Sequence, residues 1–114
     1  MEVISQKSPR ARKNHHCSLC HRLIGAGETY TRQVSVSDGR IWTFRECAHC
    51  ARLDAEIGLA WLEDPYGGEG YTEETVLNWE PETIHEARLK IGWRRKWRHR
   101  DGTLYHLRGG RIIV

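Results

Sequence analysis

The clearest pattern along the chain is a pair of strand-like stretches. Glu28 to Val36 and Arg40 to Glu46 are rich in Thr, Tyr, Val, Ile, Trp and Phe, the residues that suit a pleated, half-buried surface. Asp38-Gly39 lies between them, so a hairpin is expected. A two-residue turn would set Val34 opposite Thr43 and Ser35 opposite Trp42. A three-residue loop, Ser37-Asp38-Gly39, would set Val34 opposite Trp42. The longer loop is favoured here because it gathers apolar partners on one face, with Gly39 left-handed. Trp42 is then expected to pack near Leu53 and Ile57 rather than to read a base.

After the hairpin the apolar period changes. Cys50, Leu53, Ile57, Ala60 and Trp61 recur at helical spacing, which predicts a helix over 47–62. Gly58 weakens it, and Asp64-Pro65 ends it, since the residue before proline avoids helical angles. Tyr66 to Gly70 reads as a glycine-rich loop. Thr72 can cap a short acidic helix, with Glu73 and Glu74 at its favourable positive end. Pro81 suits the first turn of another helix, about 81–91. Over 92–100 two periods compete. Leu89, Trp93 and Trp97 share a helical face, while Trp93, Arg95, Trp97 and His99 alternate like a strand. Asp101-Gly102 marks a turn, and short strands are expected over 103–107 and 111–114, around Gly109-Gly110.

Length and charge refine this outline. A chain of 114 residues fits one small domain with an appended subdomain. No apolar run is long enough to span a bilayer, and Met1 to Lys7 has no apolar signal core. A cytoplasmic protein without a membrane partner is therefore expected. The net charge of +3 conceals three blocks. Residues 1–22 are basic, residues 53–86 hold ten acids and neither Lys nor Arg, and residues 88–114 hold nine bases against Asp101 alone. Residues 1–13 read as a flexible basic arm. The layout predicts an anionic partner or charge pairing within the fold.

The chemistry concentrates in four cysteines, arranged as Cys17-x-x-Cys20 and Cys47-x-x-Cys50. Each pair offers two thiolates, and four thiolates complete a tetrahedral shell around Zn2+. In a reducing compartment such pairs favour metal over disulfides. Three other chemistries match part of the pattern. Cys17-x-x-Cys20-His21 has the form of a c-type haem attachment motif, a single CxxC can be a redox dithiol, and two disulfides would serve a secreted protein. Each explains less of the chain than one metal. His15, His16, His21 and His49 crowd the region and are read as exposed, or as hydrogen-bond partners of the thiolates, because the cysteines already fill the shell.

The order of elements carries a resemblance. A knuckle at Cys17-Ser18-Leu19-Cys20, then a hairpin, then a helix bearing the second pair resembles the treble-clef class of zinc fingers over 14–62. The expected fold is thus a small α+β zinc-binding domain, treble-clef-like, followed over 63–114 by acidic helices and a basic Trp/Arg-rich element of helical and short β structure. The chain also resembles small zinc-finger proteins of bacteriophages that infect actinobacteria. The residues concerned are Cys17-Ser18-Leu19-Cys20, Ile24, Gly27-Glu28-Thr29-Tyr30, Asp38-Gly39 and Cys47-Ala48-His49-Cys50. That resemblance implies expression inside a bacterial host.

No catalytic residues are expected. Catalytic zinc keeps an open position, and four cysteines leave none. Treble-clef nucleases place His and Asn around the hairpin, and Glu28 to Glu46 contains neither. No phosphate-binding loop or nucleophile elbow is present, and no small-molecule substrate is implied.

The second informative stretch is Trp93 to Arg100. Five of its eight residues are Arg or Lys and two are Trp. Arg94, Arg95, Lys96, Arg98 and Arg100 suit phosphate contacts, and Trp97 suits stacking on an unpaired base. Arg12 and Lys13 can add to the same footprint. The expected function is non-enzymatic nucleic-acid binding, DNA or RNA, as in a small transcriptional regulator. The alternatives are an adaptor docking on a host or phage protein through the acidic helices, and, behind it, a nuclease. The tryptophans also fit a core, with the arginines paired to the acidic block.

Overall fold

The computed structural model describes residues 2–59 and 71–114. The expected Gly-rich loop at 66–70, together with Ala60, Trp61 and the Asp64-Pro65 boundary, lies outside the described residues. The chain divides into two compact units, Met1–Ala51 and Arg52–Val114.

The first unit is built on β-structure. A three-stranded antiparallel sheet has the order β1 (Glu2–Lys7), β4 (Tyr30–Ser37), β5 (Arg40–Cys47). Between β1 and β4 a second ladder forms from β2 (His15–His16) and β3 (Leu23–Ile24). Residues 2–7, expected to lie in a flexible arm, are instead a strand paired along β4, from Glu2 opposite Val36 to Lys7 opposite Arg32. The physical reason is the free edge of β4, whose unpaired amides and carbonyls are satisfied by an added strand. Further on, Ala11 N–H donates to Glu28 O at 2.8 Å, and Tyr30 N–H donates to Pro9 O at 3.1 Å, so the segment stays tied down.

The hairpin register also differs from expectation. Ser37 pairs with Arg40, Ser35 with Trp42, and Val34 with Thr43. The turn is therefore the two-residue Asp38-Gly39. Both residues have positive φ, 51° and 74°, the signature of the tight turn whose twist matches the flanking strands. Turn chemistry overrode the matching of apolar partners. Its consequence is that Trp42 stands 52% exposed and Ile41 71% exposed, so Trp42 is not the packed residue it was expected to be.

Helix α1 runs over Ala48–Ile57. Gly58 ends it with φ of 67°, well before Asp64-Pro65. Gly58 N–H donates to Asp54 O at 2.8 Å, and Leu59 N–H donates to Asp54 Oδ1 at 3.0 Å. A glycine here satisfies the last carbonyls at no steric cost.

The second unit continues with α2 (Glu73–Asn78) and α3 (Ile84–Arg94). Thr72 starts α2 as expected: its N–H donates to Thr75 Oγ1 at 3.1 Å. α3 begins later than Pro81 because Thr83 takes the cap, its hydroxyl accepting from Glu86 N–H at 3.1 Å. The contested segment 92–100 is neither all helix nor all strand. The helix stops at Arg94, and Lys96 and Trp97 then turn with φ of 57° and 59°. Trp97 N–H reaches Gly92 O at 2.7 Å. Arg98 bridges Leu104, and a two-stranded ladder follows from β6 (Leu107–Arg108) and β7 (Arg111–Ile112).

Trp97 is the largest fully buried side chain of this unit, with Leu89, Val76 and Trp93 also buried. Its ring meets Tyr105 edge to face at 6.0 Å. Gly92 permits this packing: a Cβ there would stand 2.9 Å from both the Trp97 and Tyr105 rings. Alanine gains roughly 1 kcal/mol of helix propensity, but overpacking a rigid aromatic pair costs about 1–3 kcal/mol. Gly92→Ala is therefore expected to lower stability by up to about 2 kcal/mol in urea unfolding. An unchanged or raised midpoint would show that the ring cluster yields.

Candidate metal centre

The four cysteines meet at one point of the first unit. The first pair lies in the tight connection between β2 and β3. Cys17 N–H donates to Arg22 O at 2.9 Å and His21 N–H donates to Cys17 O at 3.0 Å, closing the knuckle. The turn needs a left-handed residue, and His21 supplies it with φ of 64°. The second pair joins β5 to α1: Cys47 is the last strand residue, and Cys50 sits in the first helical turn. All four side chains are buried.

Their geometry fits an ion. The four Sγ atoms lie within 4.8 Å of one another. Cys17 Sγ is 3.7 Å from Cys50 Sγ, and Cys20 Sγ is 3.9 Å from Cys47 Sγ. A tetrahedron with metal–sulfur bonds near 2.3 Å has edges of about 3.8 Å. Disulfide sulfurs would be about 2 Å apart, and all four cysteines are free thiols. Convergence of both pairs on one centre also exceeds what a haem attachment or a lone redox dithiol requires.

The backbone is arranged for thiolates. Leu19 N–H and Cys47 N–H donate to Cys17 Sγ, Arg22 N–H donates to Cys20 Sγ, and Cys50 N–H donates to Cys47 Sγ, each at 3.4 Å. With protons alone the site is uneven. A hydrogen bond from Cys20, followed by those from Cys47 and Cys50, holds the Cys17 thiol far below its usual range. Burial, then hydrogen bonding with Cys17, pushes Cys50 far above it. A cation removes that conflict by replacing shared protons at every sulfur.

One participant has no signature in the sequence. Arg22 is buried at 3% exposure. Its Nη1 donates to Leu23 O at 3.0 Å and pairs with Glu28 Oε1 at 3.1 Å. Burial opposes its charge, but Cys47 and Glu28 outweigh that and raise its pKa. A tetrathiolate site with a divalent ion carries two net negative charges, so a buried guanidinium beside Cys47 offsets part of them. Glu28 also accepts from Gly25 N–H, tying the pair to the loop after β3. Nothing in the spacing of Arg22 and Glu28 marks them out from other surface charges.

The histidines divide. His49 is buried, whereas His16 and His21 are exposed. His15 stacks at a tilt on Tyr30, ring centroids 5.4 Å apart.

The expected nucleic-acid residues fare unequally. Arg12 and Lys13 are exposed in the first unit. Arg94, Arg95, Lys96, Arg98 and Arg100 are exposed in the second. Trp97 is not available: it is fully buried, so its aromatic role is core packing and not base stacking. Trp97 lies beyond the end of the helix at Arg94, and its burial follows from the turn that brings its N–H back to Gly92 O.

Compared with known protein families, curated proteins and solved structures, the chain matches none.

Cys47→Ser is expected to abolish stoichiometric metal in elemental analysis and to unfold the first unit, because structural metal energy of roughly 10–16 kcal/mol is also folding energy. A folded, metal-free Cys47→Ser protein would overturn the centre. Glu28→Ala leaves Arg22 buried with its partner gone and is expected to cost about 1–3 kcal/mol in denaturant titration of the metal-loaded protein. No measurable loss would show that Glu28 is dispensable to the Arg22 environment.

Proposed function

We propose that the protein is a zinc-bound, treble-clef-like module that binds nucleic acid without catalysis, in the cytoplasm and in the manner of a small transcriptional regulator. Soft thiolate donors in a tetrahedral set suit zinc, which then supplies folding energy and charge, not chemistry on a substrate. Cys17, Cys20, Cys47 and Cys50 hold it. The order knuckle, hairpin, helix supports the treble-clef reading. A shell filled by four protein ligands supports a structural role over a hydrolytic one.

The observation that carries the nucleic-acid reading is the state of the basic tract. Arg94, Arg95, Lys96, Arg98 and Arg100 are all exposed. Among the described residues the ion pairs involve Arg22, Arg52 and His85, and none joins the tract to an acid. Internal charge pairing therefore does not account for the tract among those residues. Exposed cations grouped this densely attract a polyanion and release its counterions on contact. The left-handed turn at Lys96 and Trp97 lies within the tract, and the buried Trp97 ring anchors its backbone.

Binding of labelled single-stranded and duplex nucleic acids, read by fluorescence polarisation, is expected to weaken steeply with salt. Arg95→Ala with Lys96→Ala is expected to flatten the log K against log salt plot by about 1–2. Absence of binding at low salt would sink the proposal. Specific capture of a protein partner with no nucleic-acid affinity would replace it with the adaptor.

A further inference from the structure

The sheet of the first unit carries a row of like charges that its fold does not require. Lys7 on β1 pairs with Arg32 on β4, and Arg32 pairs with Arg45 on β5. Directly paired residues in an antiparallel sheet point to the same face. Three cations therefore stand side by side across all three strands. Like charges so placed repel, and a sheet gains nothing in stability from them.

Their surroundings do not relieve the repulsion. Lys7 and Arg32 are exposed, and Arg45 is half-buried. Among the described residues none of the three is ion-paired with a carboxylate. Arg45 Nε is buried and has no hydrogen-bond partner among those residues.

The row is also fixed to the metal centre. Ser18, inside the first cysteine pair, donates from its N–H to Arg45 O at 2.7 Å and accepts from Arg45 N–H at its hydroxyl at 3.1 Å. Tyr30 and Cys47 are the next pair on the same face. The knuckle thus sets the strand that presents Arg45.

We propose that Lys7, Arg32 and Arg45 form a nucleic-acid backbone-binding face on the sheet of the metal-bearing unit. This rests on the nucleic-acid reading above and adds to it a surface outside the basic tract. The occupant is a run of phosphates. Charge complementarity selects it, because a row of three cations attracts a polyanion and releases its counterions on contact. Arg45 is half-buried, so part of its side chain is already ordered before a phosphate arrives.

The test uses the zinc-loaded 114-residue chain, with labelled oligothymidylate and mixed-sequence duplex DNA as probes across a salt series. Replacing Lys7→Gln, Arg32→Gln and Arg45→Gln together is expected to flatten the salt slope by about 2–3, since each phosphate contact contributes about 0.7–0.9. Arg32→Lys with Arg45→Lys keeps the charge and is expected to keep the slope. If the triple variant loses zinc, Lys7→Gln with Arg32→Gln carries the measurement, with an expected change of about 1–2. That double variant is also expected to raise Tm at low ionic strength, by removing repulsion.

A wild-type slope in the variants, alongside a flattened slope in Arg95→Ala with Lys96→Ala, would overturn the sheet face and leave the nucleic-acid function standing. Failure of the unsubstituted chain to bind either probe would overturn both. A lowered Tm in the double variant would make the cations structural and overturn the proposal. Preferential binding of polyglutamate over both probes would overturn it in favour of an acidic protein partner.

Discussion

Convergence of four sulfurs on one point is the constraint from which the first unit follows. Cys17 and Cys50 are 33 positions apart in the chain, yet their sulfurs lie 3.7 Å from one another, close to the edge length of a tetrathiolate shell. That demands a knuckle tight enough to turn one pair inward and a strand-to-helix junction that delivers the other. The positive φ at His21, the sulfur-directed amides and the position of Cys50 at the helix start all serve this convergence. A small unit with few large apolar side chains would otherwise have little to hold it together. The buried Arg22 guanidinium, paired with Glu28, feels Cys47 of the same cluster.

The second unit is held differently. Its core is aromatic and aliphatic, with Trp97 enclosed by Gly92 and Tyr105. The basic residues around Trp97 are carried on the surface of that core. One segment thus supplies both a packing anchor and a charged exterior, because side chains that follow one another in a tight turn point in different directions. Each unit presents cations of its own: a sheet row in the first, and a turn-borne tract in the second.

Much of this was legible in particular residues. The cysteine spacing marked the centre, Asp38-Gly39 marked the hairpin turn, and Thr72 marked the start of α2. Other features were misjudged for identifiable reasons. Apolar matching favours the longer hairpin loop, whereas a two-residue turn with two positive φ values decides the register and leaves Trp42 exposed. The N-terminal segment was judged by its polar composition, but a strand can be recruited by an open sheet edge whatever its hydropathy. Pro81 looked like a helix start, but the Thr83 hydroxyl offered the better cap.

What the sequence determined by itself is the set of groups whose chemistry is local: four thiols in two turns, the punctuating glycines, the caps and the charge blocks. Tertiary structure alone decided which distant residues share a surface or an interior. It placed Arg22 inside and Trp42 outside, enclosed Trp97, and lined up Lys7, Arg32 and Arg45 across three strands. The reason is physical. Spacing along a chain fixes the direction of near neighbours, but burial and charge environment depend on strands and loops far apart in sequence, and these meet only when the sheet register and the four-cysteine cluster are set together.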